Sequence, residues 1–416
     1  MAREAPLTAS VCARGEGALC QHRHVSRILA LVVAIALVSC ATQQQTAETS
    51  LVPLVDPGEL PVTTIAPTTT VAPSSDPNSP IITTLPETEC AFADILPAGE
   101  ITFMVGDRLY GASLDGSVIR CLATLQTAQR GPVKWSPLGN RALLNTSTMF
   151  DAKGQRMSGF DVSNTRVQWE RPAGDAAMAP SSSNKSLVRR EADDTNKRTE
   201  ITFLSRTLVA VSHPVGGSII AAGTSAEGVV GVFAAANGAA PHALLTTVNP
   251  DLRFSELALD AVGDIIYVLS DDGVSFRIHQ LQMPTLAVVE LTSEQAPILQ
   301  LTTGPTGNAV AWKVGLCNSI TETRVRDDRT AGVVTVGDGT PLEGLSLAPV
   351  GWLDATRLVV ASRPLGCDGP ADVWIWNLLD GSATLIVKTV EFPATRTTSD
   401  LGAPIAIDPS AQPPAI

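Results

Sequence analysis

Beyond position 40, the side chains that could do chemistry are few and scattered. Three histidines occur there, His213, His242 and His279. No two of them have the short spacing of a zinc motif, so each reads as a surface or a satisfied core histidine, and neither a metal nor a cofactor is expected. Serine, aspartate and histidine are all present, but there is no G-x-S-x-G nucleophile elbow. Gly111-Ala112-Ser113-Leu114-Asp115-Gly116 reads instead as an outer hairpin, and a triad would have to be assembled from distant residues. The acid pairs Asp193-Asp194, Asp271-Asp272 and Asp327-Asp328 each stand beside Lys, Arg or Gly and read as solvated hairpin tips. Weak calcium binding at a tip is the alternative, without the ligand spacing of a calcium loop. Trp374 and Trp376 share one strand face, either packed in a core or exposed as an aromatic platform. Mixed-sign charge collects around Arg189 to Arg198 and Arg324 to Arg329, either as solvated loops or as the rim of a partner site.

The elements that must position these residues are short apolar runs separated by turn residues. One pattern recurs after Glu89: an apolar strand, a turn of Pro, Gly and Asn, and a second strand. Markers at residues 99, 139, 184, 216, 263, 307 and 355 are separated by 40, 45, 32, 47, 44 and 48 residues. A period near 40–45 of strand texture is the signature of a β-propeller, one four-stranded sheet per period. The short interval from Asn184 to Gly216 predicts either a trimmed blade or a marker that is not an inner turn. Leu114-Asp115-Gly116-Ser117 and Leu379-Asp380-Gly381-Ser382 are nearly identical hairpin turns, with Asn237-Gly238 and Asp338-Gly339 at the same phase. The expected fold is all-β: a six- or seven-bladed propeller of four-stranded antiparallel blades. Pro404 to Pro409 either returns to the first blade and closes the ring or is a plain tail.

Trp135-Ser136-Pro137-Leu138-Gly139-Asn140 and Asp372-Val373-Trp374-Ile375-Trp376 resemble the TolB-type propeller repeat, which reads W-S-P-D-G, an apolar strand, and an outer hairpin ending in D-G. The resemblance covers roughly residues 91–390. Position 138 is Leu where the family often has Asp, and the unit at Gly263 lacks the Pro. It implies a fold and carries over neither a separate N-terminal domain nor a partner.

The N-terminal 89 residues are of two other kinds. Arg23, His24 and Arg27 precede an apolar run from Ile28 to Val38, which is too short for a membrane span of about 20 residues. The run ends in Leu37-Val38-Ser39-Cys40, which resembles the lipobox of bacterial lipoprotein signals. That resemblance implies cleavage before Cys40 and fatty acyl chains, such as palmitate, on its thiol; two or three chains anchor firmly. The 27 residues before the apolar run are long for the basic leading region of a signal peptide, so translation is expected to begin later, for instance at Val25. Residues 41–89 hold no Lys, Arg, Cys or aromatic residue, and 23 of the 49 are Pro, Ser or Thr. Residues 40–89 therefore read as the lipidated cysteine and a disordered, Pro-stiffened stalk, bare or O-glycosylated, and residues 90–416 as the propeller.

Export bears on the cysteines. Cys90, Cys121, Cys317 and Cys367 form an even set in the folded part, and an exported chain makes disulfides of such sets. Three pairings exist; joining near neighbours favours Cys90 with Cys121 and Cys317 with Cys367. Without residues 1–39 the chain has 25 basic and 39 acidic residues, a net charge near −14, which disfavours nucleic acid as a partner. These readings favour a non-catalytic cell-envelope lipoprotein, held to a membrane through lipid on Cys40 at the cell surface or in the periplasm. Its propeller would bind or scaffold an envelope protein. The alternatives are an exported hydrolase with a site in the propeller channel and a carbohydrate-binding envelope protein.

Overall fold

In the β-rich part of the chain several strands are apolar along almost their whole length. Ile265-Ile266-Tyr267-Val268-Leu269-Ser270 and Val232-Phe233-Ala234-Ala235 are buried at every position. Such runs belong to sheets covered on both faces, not to a sheet with one wet side. The computed structural model shows this arrangement. It describes residues 80–397 and 412–416, apart from 83, 88, 146, 158, 161–165, 195–196, 213–217, 237–238, 306–307 and 331. The expected signal peptide at 1–39, Cys40, the stalk to residue 79, His213, Asn237-Gly238 and the segment from Pro404 to Pro409 lie outside the described residues.

The strands run in chain order. The first three are β1 (Glu100–Val105), β2 (Arg108–Ser113) and β3 (Ile119–Thr124). Next come β4 (Val133–Trp135), β5 (Ala142–Leu144) and β6 (Thr148–Phe150). Then follow β7 (Gln168–Trp169), β8 (Ala176–Pro180), β9 (Leu187–Glu191) and β10 (Arg198–Ile201). The next meander is β11 (Arg206–Ser212), β12 (Ile219–Thr224), β13 (Val230–Ala235) and β14 (His242–Thr246). After it stand β15 (Arg253–Leu259), β16 (Ile265–Asp271), β17 (Phe276–Gln282) and β18 (Ala287–Glu294). The last two meanders are β19 (Ile298–Thr303), β20 (Val310–Val314), β21 (Glu322–Arg326) and β22 (Val333–Thr335), then β23 (Ser346–Trp352), β24 (Arg357–Arg363), β25 (Ala371–Asn377) and β26 (Ala383–Arg396).

All neighbouring pairs are antiparallel and each strand pairs with the next within its meander. Five blades are built from four consecutive strands among the described residues: β7–β10, β11–β14, β15–β18, β19–β22 and β23–β26. This corrects the expected six or seven. β4–β6 is a three-stranded sheet. There the chain turns back at once after β6, where Asp151 Oδ1 accepts the N–H groups of Lys153 and Gln155, and among the described residues only an isolated bridge, Phe150 with Arg156, stands where a fourth strand would be. β1–β3 acquires a fourth strand from elsewhere. Residues 383–390 of β26 pair with β25, and residues 391–396 pair with β1, matching Arg396 with Glu100 and Ala394 with Thr102. Positive φ angles at Thr389 and Phe392 mark the bend at which β26 changes sheets. Ring closure therefore uses residues 391–396. The C-terminal residues instead add to the edge of β14, where Thr246 and Ala415 form a parallel bridge.

Two sequence markers were misplaced. Asn184 sits in the β8–β9 turn, and the inner turn of that blade is at Gly174, between β7 and β8. Asn184 has φ 57°, so it shares the turn chemistry of the inner markers, and composition does not separate the two. Asp338-Gly339 follows β22 and leads to β23, whereas the outer hairpin of that blade is the turn at residues 327–332. The hairpins at Asp115 and Asp380 do match: each aspartate accepts the backbone N–H and hydroxyl of the serine two positions on.

Apolar clusters lie between adjacent sheets. One joins Ile220, Val232, Ile266 and Val268 across β11–β14 and β15–β18; another joins Ala311, Val325, Val360 and Trp374 across the last two blades. Trp374 and Trp376 are both buried there, as core packing requires. Packing begins upstream of Cys90. Ile82 is 5% exposed, lies among Ile101, Phe103 and Val387, and donates its N–H to Ile386 O.

Candidate functional site

The first strand of each meander has one open side, because no sheet continues past it. β4, β7, β11, β15, β19, β23 and the end of β26 pack side by side around an axis. Side chains rather than a backbone ladder bind these strands to one another. Trp169 Nε1 donates to Lys134 O at 2.8 Å, Thr303 Oγ1 to Leu259 O at 2.7 Å, and Gln300 Nε2 to Pro349 O at 2.8 Å. Trp352 Nε1 donates to Thr302 O at 3.3 Å. The axis is consequently polar. At one end a cavity of about 320 Å³ is lined by Trp135, Ser136, Gln168, Arg171, Thr302 and Thr395.

Lys134 and Glu256 face this channel from β4 and β15. Lys134 Nζ donates to Val167 O at 2.9 Å, and Glu256 Oε1 accepts the N–H of Leu301 at 3.2 Å. Burial pushes the Glu256 carboxyl up to about 7, against the pull of the Leu301 N–H, Lys134 and Arg166. Burial also pushes the Lys134 ammonium down, with Glu256 pulling it back. A carboxyl that ionises near 4.5 when unfolded and near 7 when folded favours the protonated folded form. Its stabilising contribution is complete below pH 4.5 and is lost as the pH rises through about 7. Glu256→Gln is expected to flatten the pH dependence of stability across that window. Urea unfolding at pH values from 4.5 to 8 measures it; a slope unchanged in the variant would refute the assignment.

The opposite end opens wider. A cavity of about 560 Å³ is bounded by Lys134, Gln300, Lys313, Pro349, Arg363 and Phe392, with Cys367 and Asp368 at its lip. Because strands alternate in direction, turns between second and third strands share this face with the connections between blades. Six of the exposed aliphatic side chains lie on its turns: Val229, Val248, Val274, Leu316, Ile320 and Leu365. Val118, Leu138 and Leu379 lie on turns of the other face.

The structure joins Cys90 to Cys121 and Cys317 to Cys367, with Cα separations of 4.5 and 4.8 Å. The second disulfide ties the β20–β21 turn to the β24–β25 turn, beside Leu316, Ile320 and Leu365. Other residues picked out in the sequence do not converge. His279 is 4% exposed and its Nε2 lies 2.9 Å from Ser270 Oγ; Ser270 has no exposed surface, so this serine–histidine pair cannot meet a substrate. His242 stands apart on β14. Asp193 pairs with Arg141, Asp272 with Arg277 and Asp327 with Arg329. Among the described residues no three of His, Cys, Asp and Glu come together as metal ligands, and no helix is long and apolar enough to cross a membrane. Sequence reasoning missed Lys134, Glu256, Lys313 and Arg363, which belong to no motif. The signal at Lys134 and Lys313 is a single charge within an apolar strand, as in Val310-Ala311-Trp312-Lys313-Val314.

No family model matches this chain, and no curated protein matches it. Solved structures of propellers do. The putative TolB from Agrobacterium tumefaciens is 11% identical, with a TM-score of 0.41, over 72% of this chain and 96% of that one. TolB from Acinetobacter baumannii is 14% identical, with a TM-score of 0.40, over 72% of this chain and 66% of that one. The Cps50 (Swd1) β-propeller domain of Myceliophteria thermophila is 14% identical, with a TM-score of 0.44, over 64% and 87%.

Proposed function

We propose that this chain is an exported, lipid-anchored envelope protein that holds a protein partner on the disulfide-tied face of its propeller, without catalysing a reaction. The observation that carries the reading is the side chains beside Cys317–Cys367. Leu316, Ile320 and Leu365 are 54%, 52% and 58% exposed, on two turns locked together by a covalent bond. Large aliphatic groups held rigidly at a surface lose little entropy when covered, which suits them to the apolar centre of an interface. Two disulfides fit an oxidising compartment, in keeping with the signal before Cys40. The net charge of −12 fits a protein rather than a nucleic-acid partner.

The test uses cells. A photo-cross-linking residue at position 365 is expected to give a discrete adduct in envelope fractions, and the same residue at position 379, on the opposite face, is not. Cys40→Ala is expected to release the protein from membranes or block its processing. Equal labelling from both faces would sink the partner site, and a membrane-bound Cys40→Ala variant of mature size would sink the anchor.

A further inference from the structure

Lys313 occupies an unusual place. It is the fourth residue of β20, opposite Gln300 of β19, and both face the wider cavity. The residue is 5% exposed, yet no carboxylate of the described residues forms an ion pair with it. The partner nearest its ammonium is Cys367 Sγ, at 2.7 Å. A disulfide sulfur is a poor acceptor, and an ammonium carries three N–H donors. Burying such a group without counter-charge is costly, so its neighbours matter.

Those neighbours add to its charge. Arg363, at the end of β24, lines the same cavity and is steadied by donating Nε to Gly369 O at 3.0 Å. Lys134 reaches the cavity from β4. Of the two acids in the wall, Glu391 is paired with Arg130, which leaves Asp368 facing Lys313 and Arg363. Burial and the proximity of Arg363 both push the Lys313 ammonium down, with Asp368 opposing them. The mouth is thus locally basic in a chain of net charge −12. The remaining wall is apolar, from Ala348, Pro349, Val350, Phe392 and Pro393, and the volume of about 560 Å³ suits a small organic molecule.

We propose that the wide mouth of the channel is a binding site for a small organic anion. Its carboxylate, sulfonate or phosphate group lies against Lys313 and Arg363, and its apolar body rests on Pro349 and Phe392. The buried ammonium keeps its donors for this ligand, and Arg363 supplies a fork that fits a planar or tetrahedral anion. This site does not depend on a protein docking on the surrounding turns.

The probe is 8-anilinonaphthalene-1-sulfonate, an anion with an aromatic body, beside its uncharged counterpart N-phenyl-1-naphthylamine. Titration of the intact, oxidised protein, followed by fluorescence, is expected to show one saturable site for the sulfonate. Lys313→Met and Arg363→Met are each expected to weaken it at least tenfold, while Lys185→Met, at an exposed position, leaves it unchanged. The uncharged probe is expected to bind Lys313→Met at least as well as wild type. Lys313→Met removes a buried charge and should melt no lower than wild type, which separates a lost site from a lost fold. Absence of a saturable sulfonate site, or equal affinity in wild type and the folded Lys313→Met protein, would overturn the proposal.

Discussion

Arg396→Ala is expected to destabilise the propeller by about 3–5 kcal/mol, the range for breaking a buried ion pair. Arg396 and Glu100 have no exposed side-chain surface. The guanidinium meets one Glu100 oxygen, donates to Gly139 O and Ala93 O, and lies 4.2 Å from the Trp135 ring centroid. Arg120 takes the other Glu100 oxygen at 2.9 Å. Truncation at position 396 therefore leaves Glu100 half satisfied and two carbonyls without a donor, at the seam where residues 391–396 close the ring. Lysine should not rescue it, because one ammonium cannot span the same acceptors. The contrast is Arg198→Ala. Arg198 and Glu200 are 44% and 57% exposed, and pairs of that kind are worth under about 1 kcal/mol. Urea unfolding followed by tryptophan fluorescence gives both values. An Arg396→Ala loss no larger than that of Arg198→Ala would mean the seam is held by strand pairing alone.

The disulfides give the second large effect. Cys317 and Cys367 are 50 residues apart and Cys90 and Cys121 are 31 apart. Cross-links over such loops remove unfolded-state entropy worth about 4 kcal/mol each in the chain-entropy model. Replacing the pair Cys317 and Cys367 by Ser should lower stability by about that amount while leaving the blades intact. The two turns keep other ties: Ser346 Oγ donates to Gly366 O at 3.0 Å, and Thr321 N–H donates to Ser346 Oγ at 3.1 Å. Far-ultraviolet circular dichroism should stay unchanged while the urea midpoint falls. A midpoint equal to wild type would show that the unfolded chain is already constrained there.

Much of the fold was legible because its turns advertise themselves. Asp115-Gly116 and Asp380-Gly381 need a residue tolerant of positive φ beside a short acceptor, and few residue pairs supply both. The cysteine pairing was legible because each partner lies near in sequence. Blade completeness was not. Whether β6 is followed by a strand depends on where the chain can go after Asp151, and no local propensity encodes that. The bend in β26 was equally hidden, since Glu391-Phe392-Pro393 reads as a strand end while pairing with β1 depends on residues nearly 300 positions earlier. The channel charges stayed hidden for a related reason. Lys134 and Lys313 become neighbours of one cavity only after separate blades meet, and a lone charge in a strand looks the same whether it faces solvent or an axis.

The bend in β26 also sets an order of events. Strand β1 leaves the ribosome long before its inner partner exists, because Glu100 and Arg396 are 296 residues apart. Until residues 391–396 arrive, β1 presents a bare row of N–H and C=O groups, open to any stray strand. Each intervening blade is a local meander and can form as it emerges, while the first unit has to wait for the last. A chain halted before residue 391 would hold five finished blades and remain a sticky, unsealed arc. Quality control that senses exposed strand edges would thus read completion of this protein at a single place, the seam beside Glu100.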